Sequence, residues 1–280
     1  MHRWIFSATG ESELACPYRY VRTHLQRTHL QEEYILAPFA ASWFGQKVHE
    51  RISRSLRYGL PIDERPFWLP PKLVLQEGED LQELIRRANA GLQRFEREIR
   101  PSLLGKSLSI EERFVWDFWL EGRPVRLVGK MDVVVTGAEV DEILDWKTGD
   151  VAGSQDQLRY YLVLYHRSTG KVAQRARAIG LETGDTLEES WDEELEEWAM
   201  TRVATMVELK LRTLEKPDQR EPGPQCRFCP FASTCPASVA PSRYLVDTRT
   251  GQISPLRDEV EWEELSSRPD SLGVETPDDF

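Results

Sequence analysis

Two carboxylates and one ammonium group are, by type and spacing, the residues of this chain best suited to chemistry. Asp132 sits in Lys130-Met131-Asp132-Val133-Val134-Val135, and Asp145 and Lys147 sit in Leu144-Asp145-Trp146-Lys147-Thr148-Gly149. Residues two apart in a strand share a face, so Asp145 and Lys147 point the same way. A hairpin centred near Ala138 and Glu139 brings Asp132 roughly opposite Asp145, within a residue or two of register. Oxygen donors of this kind hold a hard divalent cation. Such a cation ligates a phosphate oxygen and lowers the pKa of a bound water. A neighbouring lysine can orient or deprotonate that water and offset the charge that builds in the transition state. Metal-assisted phosphodiester hydrolysis requires this set of functions. A bare Asp-x-Lys is most often an exposed strand pair, but the apolar flanks here predict partly buried charges.

Three further constellations bear on the same chemistry. Gly45 and His49 are four apart and share one face of a helix. The glycine lets that face approach the sheet, which would carry the imidazole to a cation and make Mn²⁺ tolerable beside Mg²⁺; an isolated histidine is more often simply satisfied or exposed. Gln157 and Tyr161 are also four apart, on the helix after the Asp145 strand, although Tyr160, Tyr161 and Tyr165 taken alone read better as core aromatics. Cys226, Cys229 and Cys235 follow C-x2-C-x5-C, and the remaining cysteine, Cys16, stands near the other end of the chain. Four thiolates suit a [4Fe–4S] cluster or a tetrahedral zinc ion, and spacing does not choose between them. Either would staple the N-terminal helix to the C-terminal loop; buried free cysteines are the plain alternative.

The elements that must position these groups follow from periodicity. Glu11 to Leu30 reads as a helix with Ser12 near its N-cap, Pro38 to Arg57 as a second, and Leu81 to Ile99 as an amphipathic third. Prolines break Pro61 to Pro71 into a loop. Ser107–Leu120, Arg123–Thr136 and Val140–Lys147 read as strands, with turns at Glu121-Gly122-Arg123 and Thr136-Gly137-Ala138, an antiparallel meander. Gln155 to His166 reads as a helix, Ala173 to Leu181 as a strand, Leu187 to Leu214 as a long acidic helix, and Gln225 to Pro236 as a tight Cys/Pro loop. The pattern fades beyond Pro241, so residues 1–240 are expected to form the domain and residues 241–280 an acidic, peripheral or disordered tail. This order predicts an α/β fold, a mixed central sheet flanked by helices.

Composition sets outer limits. The chain has 280 residues, 40% of them hydrophobic, enough for a sizeable core. Its net charge of −11 argues against broad coating of nucleic acid, though a local basic groove remains open because charge acts over roughly 10 Å. No signal peptide and no apolar run of the ~18–20 residues that span a bilayer is readable, so a cytoplasmic, membrane-free protein is expected. In a reducing compartment, cysteines serve more often as metal or cluster ligands than as disulfides.

Taken in order, the motifs resemble the PD-(D/E)xK nuclease superfamily in its RecB-like, iron–sulfur branch, which includes the AddB nuclease domain and the CRISPR-associated nucleases that trim new spacers. The matching stretches are Cys16-Pro17-Tyr18-Arg19, Gly45 to His49, Gly129 to Asp132, Asp145 to Gly149, Gln157 to Tyr161 and Cys226 to Pro236. The resemblance implies the restriction-endonuclease-like core of that superfamily. It implies His49, Asp132 and Asp145, helped by the Trp146 carbonyl, as ligands of Mg²⁺ or Mn²⁺. It implies Lys147 as the catalytic lysine and Gln157 and Tyr161 as substrate-positioning residues. It also implies a structural [4Fe–4S] cluster on Cys16, Cys226, Cys229 and Cys235, with zinc as the lesser alternative. The activity so implied is a DNA exonuclease working on single strands or duplex ends, in a repair or CRISPR-type complex with a protein partner. A non-catalytic nucleic-acid-binding or adaptor subunit on the same fold is the competing reading. Asp145 stands where relatives often carry Glu, and the segment from Pro61 to Gly105 has no counterpart in the pattern. No G-x-x-x-x-G-K-[ST] phosphate loop is present, so any motor would have to be another subunit.

Overall fold

The computed structural model describes residues 3–26, 37–137 and 141–256. Strand β1 (Trp4–Phe6) leads into two short helices, α1 (Gly10–Leu14) and α2 (Pro17–Tyr20), and a π-turn (Val21–Leu25). One continuous helix was expected here. Cys16 breaks it: its backbone is extended (φ −127°, ψ 107°), and Pro17 restarts the helix from its first position, where a missing N–H costs nothing. The remainder of that expected helix, from residue 27, lies outside the described residues.

Helix α3 (Ala40–Tyr58) buries Trp43, Phe44, Val48 and Ile52 at helical spacing, and Gly59 ends it in the left-handed region at φ 65°. Strand β2 (Lys72–Gln76) follows the proline loop. Helix α4 (Leu81–Arg94) starts where the Asp80 carboxylate accepts the Glu83 N–H at 2.8 Å. It runs on through a π-turn (Phe95–Ile99) into α5 (Arg100–Leu103), beyond the expected end at Ile99.

Strands β3 (Ser107–Leu120), β4 (Arg123–Thr136) and β5 (Asp141–Lys147) form the expected antiparallel meander. Glu121 and Gly122, at φ 50° and 75°, make the two-residue turn between β3 and β4, whose twist needs positive φ at both positions. Helix α6 (Gln155–Thr169) crosses over to β6 (Ala173–Gly180), which pairs parallel to β5. Next come β7 (Thr186–Ser190), antiparallel to β6, and α7 (Glu194–Glu215). The expected acidic helix from Leu187 is thus corrected at its start: the alternation of Thr186-Leu187-Glu188-Glu189-Ser190 makes an edge strand with one half-buried side.

The fold is the mixed α/β sheet the sequence predicts. Val133, Val135, Leu144 and Trp146 pack towards α3 and α4, while Val134 and Ile143 pack towards α6 and α7. Burial on both faces explains why β4 and β5 read as near-continuous apolar runs.

The expectation of a patternless tail beyond Pro241 is corrected for residues 243–255. Strand β8 (Arg243–Asp247) pairs antiparallel with β2, and β9 (Ile253–Pro255) pairs with β8, a second sheet. Too short and too polar to declare themselves, these strands owe their structure to the partner they cover. The segment from Pro61 to Gly105 thereby acquires a structural role through β2. The acidic stretch from Asp258 lies outside the described residues. Among those described, no helix is long and apolar enough to cross a membrane.

One topological feature places the functional groups. Strand β4 shares a single edge between two neighbours, β1 at Val125–Leu127 and β5 at Val133–Val135. Between them, residues 128–132 have no strand partner on that side among the described residues, and the sheet opens into a notch. Exposed carbonyls there must be satisfied otherwise. The Tyr160 hydroxyl donates to the Val128 carbonyl at 3.3 Å and the Tyr161 hydroxyl to the Lys130 carbonyl at 3.2 Å, both from α6.

Candidate active site

Asp132 stands at the inner end of this notch. Val133 pairs with Leu144, so the same register sets Asp132 opposite Asp145. The Trp146 N–H donates to Asp132 Oδ2 at 2.8 Å, which ties the carboxylate across the mouth of the hairpin. His49 reaches in from α3, its Nδ1 at 3.1 Å from Asp132 Oδ1. Protonated at Nδ1, the ring donates to Asp132 and keeps Nε2 as the nitrogen a ligand could use. Gly45, one turn earlier, faces the end of β5: a Cβ there would meet Thr148 Oγ1 at 3.0 Å, a tight contact from which the hydroxyl would have to give.

The other half of the site comes from β5 and α6. Lys147 Nζ lies 2.7 Å from Asp145 Oδ2 and donates to Gln157 Oε1 at 2.7 Å. Gln157 Nε2 donates to the Tyr161 hydroxyl at 2.7 Å and lies 3.3 Å from Asp145 Oδ1. Gly129 admits α6 to the sheet, since a Cβ there would come to 2.7 Å from Leu164 Cδ2 and 3.3 Å from the Tyr161 ring. The structure therefore brings His49, Asp132, Asp145, Lys147, Gln157 and Tyr161 into one connected group. Trp146 contributes its N–H, while its indole is buried beneath the sheet against Phe95 at 5.6 Å.

The electrostatics follow from burial. Asp132 and Asp145 are 8% and 4% exposed, so both carboxylates are held in a poorly solvated place. Burial raises Asp145 above the ordinary carboxylate range, and Asp132 adds to the rise; Lys147 and His49 pull the other way without cancelling it. For His49, burial alone would lower the imidazole, but the bond to Asp132 and the two carboxylates outweigh it, and the net direction is up. Burial drives Tyr161 well above its usual value, so its hydroxyl remains a donor.

Among the described residues no three His, Cys, Asp or Glu side chains form a ready-made cage for a cation. The donors in the notch are nevertheless of the right kind. Asp145 Oδ2 is buried, and the Lys147 ammonium at 2.7 Å is the close partner it has there. A buried carboxylate oxygen so placed is suited to a hard cation. The four cysteines line a second place: Cys16, Cys226, Cys229 and Cys235 surround one narrow cavity of about 20 Å³. All four are free thiols. Burial pushes Cys229 up to about 11, with the Arg19 and Arg243 guanidiniums opposing the rise. Sulfur is the donor type that holds zinc or an iron–sulfur cluster, but among the described residues these cysteines do not form a ready-made ligand set.

The cysteine loop has a support that the sequence did not disclose. Arg243 on β8 is buried and donates to the carbonyls of Cys229 at 2.6 Å, Cys226 at 3.0 Å and Arg227 at 3.0 Å. Its guanidinium also lies over the Phe39 ring, 4.8 Å from the centroid. Nothing in the local pattern around residue 243 signals this, because every partner is distant in sequence except the loop it clamps. Glu111 was also missed: a non-glycine residue at φ 53° inside β3, it interrupts pairing beside Asp132 and contacts Lys130 at 3.3 Å.

The model of the PD-(D/E)XK nuclease superfamily matches residues 9–236. No curated protein matches the chain. Among solved structures, SSO0001 is 16% identical over 85% of this chain and 88% of its own, with a TM-score of 0.43. A candidate exonuclease of Eubacterium rectale is 16% identical over 76% of this chain and 83% of its own, with a TM-score of 0.48. VC1899 of Vibrio cholerae is 14% identical over 65% and 54%, with a TM-score of 0.25. At such identities and scores these three likenesses bear no weight for the chemistry.

Proposed function

The chain belongs to the PD-(D/E)XK nuclease superfamily, and from that premise we propose that it is a Mg²⁺- or Mn²⁺-dependent deoxyribonuclease of the RecB-like branch, acting on single strands or duplex ends. The observation that carries this reading is the continuous run of contacts from His49 through Asp132 to Trp146, and from Asp145 through Lys147 and Gln157 to Tyr161. Scattered motif residues would support a fold; two runs of contact that meet at neighbouring residues of β5 support a site.

In this reading His49, Asp132 and Asp145, with the Trp146 carbonyl, would hold the cation. When bound, the cation supplies Lewis acidity to a phosphate oxygen and makes a water molecule more acidic. The chain's own residues do the rest. Lys147 keeps a positive charge beside the carboxylates and offsets charge on the reacting phosphate. Gln157 accepts from the ammonium and fixes its direction. Tyr161, kept protonated by burial, anchors Gln157 to the backbone of β4.

The cysteine set is read as a structural metal centre that joins the segment at Cys16 to the loop at 226–235. The resemblance to the iron–sulfur branch favours [4Fe–4S]; a tetrahedral zinc ion is the second reading. A brown protein absorbing near ~400 nm decides for the cluster, and a colourless one with stoichiometric zinc decides for the ion. For the activity, labelled single-stranded DNA is incubated with Mn²⁺ and the wild type, Asp145→Ala or Lys147→Ala. Cleavage by the wild type that both substitutions abolish is expected. Undiminished cleavage by either variant sinks the assignment, and no cleavage by metal-loaded wild type leaves a binding or adaptor subunit.

A further inference from the structure

A second cleft lies on α3, around the helix from His49. It is open, has a volume of about 470 Å³, and runs between α3 and the proline loop that follows it. That volume falls in the ~300–1,000 Å³ range of ligand sites. Aromatic rings form its floor. Phe67 packs edge-on against Phe44 at 5.4 Å and Trp43 at 6.3 Å, and the Arg51 guanidinium covers its ring at 4.0 Å. Arg51 also donates to the Asp63 carbonyl at 2.8 Å, which holds the loop against the helix. Beside this anchored ring the Trp68 indole is 75% exposed and makes no ring contact among the described residues. Trp68 lines the same cleft as the anchored Phe67, and its exposed indole offers a face on which a planar group can stack.

The charge of the cleft is opposite to that of the protein. Four cations, Lys47, Arg51, Arg54 and Arg65, line it against two carboxylates, Glu50 and Asp63, in a chain of net charge −11. Lys47 is paired with Glu50 at 2.7 Å and Arg65 with Asp63 at 2.6 Å. Arg54 is exposed and has no hydrogen bond or ion pair among the described residues. Aromatic platforms interleaved with an excess of cations are how proteins hold unpaired nucleic acid without reading its sequence. Trp43, Lys47 and Arg54 share one side of α3, and His49 lies roughly 140° round the helix from Arg54, so the two places are on the order of 10 Å apart. An extended strand covers that distance in a few nucleotides.

We propose that this cleft is a subsite for single-stranded DNA, in which Trp68 stacks on one unpaired base and Arg54 contacts its phosphate. The proposal rests on the nuclease reading for the identity of the polyanion, but binding is measured without cleavage. Full-length protein in EDTA is titrated into a fluorescent oligo-dT of about twelve nucleotides, the same oligonucleotide made abasic, and a blunt hairpin duplex. Trp68→Ala is expected to raise the Kd for oligo-dT by about 5- to 150-fold, the worth of one base–aromatic stack. Its melting temperature should not move, because the side chain is exposed. Trp68→Phe should recover most of the affinity. Arg54→Gln should flatten the salt dependence by about one phosphate contact. Trp68→Ala should leave binding of the abasic strand and the hairpin near wild type. Oligo-dT affinity unchanged in Trp68→Ala, or equal losses on the abasic strand or hairpin, overturns the stacking subsite. A wild type that binds oligo-dT and loses it on Trp68→Ala, yet never cleaves with Mn²⁺, overturns the nuclease reading and leaves the subsite standing.

Discussion

The two tyrosines that close the notch allow stability and function to be separated by removing one oxygen atom at a time. Tyr161→Phe deletes a hydroxyl that donates to the Lys130 carbonyl and accepts from Gln157. Tyr160→Phe deletes one that sits within reach of the Val128 and Phe6 carbonyls, at 3.3 and 3.2 Å, and touches none of the candidate site residues. Each change leaves a partly buried carbonyl of the strand gap without this side-chain donor, which costs about 1–2 kcal/mol. For a chain of this size that is a fall of about 2–8 °C in Tm. The consequences for catalysis should differ. Only Tyr161→Phe frees Gln157, leaving Lys147 oriented by fewer bonds; losing a positioning hydrogen bond of about 0.5–1.5 kcal/mol lowers kcat by roughly 2- to 10-fold. Thermal melts with calorimetry, and turnover of labelled single-stranded DNA in saturating Mn²⁺, provide the two readouts. Equal loss of kcat in both variants would mean that activity merely follows stability. No loss in Tyr161→Phe would mean that Gln157 is not held for function, and in either event the argument from the strand gap to the site fails.

Other perturbations give clear signs. Because burial raises the folded-state pKa of Asp145, its contribution to stability is fully present below its ordinary value near 3.8 and is lost as pH rises through the raised value. In EDTA, Asp145→Asn should therefore remove part of the decline in urea midpoint seen as pH climbs above the ordinary carboxylate range; parallel midpoint–pH curves for the two proteins would refute this. Tyr165→Phe removes the 2.7 Å hydrogen bond that the hydroxyl donates to buried Asp141 Oδ2, and should cost about 1–3 kcal/mol in a chemical denaturation curve while turnover on DNA is retained. Arg243→Met unpairs three carbonyls of the cysteine loop and should cost about 2–4 kcal/mol; metal analysis of the purified variant should show a depleted cysteine centre, and full occupancy would contradict the clamp.

Much of the site's architecture was written in local pattern. Two apolar strands separated by a turn signal set Asp132 opposite Asp145, because period-two alternation and hairpin length together leave little freedom of register. Spacings of four placed His49 one turn from Gly45, and Tyr161 one turn from Gln157, and the glycines proved to stand where helices press on the sheet. What stayed hidden depends on contacts between distant segments. The three residues of β1 carry no period, yet their insertion beside β4 makes the notch. Thr186 to Ser190 alternates too weakly to outweigh the acidic helix behind it. Arg243 looks like any surface arginine until β8 is laid against β2, and Trp68 looks like a loop aromatic until the loop is seen fastened by Arg51.

The pairing of β2 with β8 joins residues 72–76 to residues 243–247. A contact spanning so much of the chain is among the slowest to close, since its loop entropy must be met before any hydrogen bond is gained. During synthesis the helices and the large sheet can assemble while Leu73, Val74 and Leu75, buried in the finished protein, still lie along an unprotected strand edge. Such an edge invites pairing with another chain. Arg243 is the first residue of the covering strand and also the clamp on the cysteine loop. Capping the edge and ordering the thiols are therefore one late event, and a chain shortened at residue 240 would be left with both a sticky strand and a slack cysteine loop.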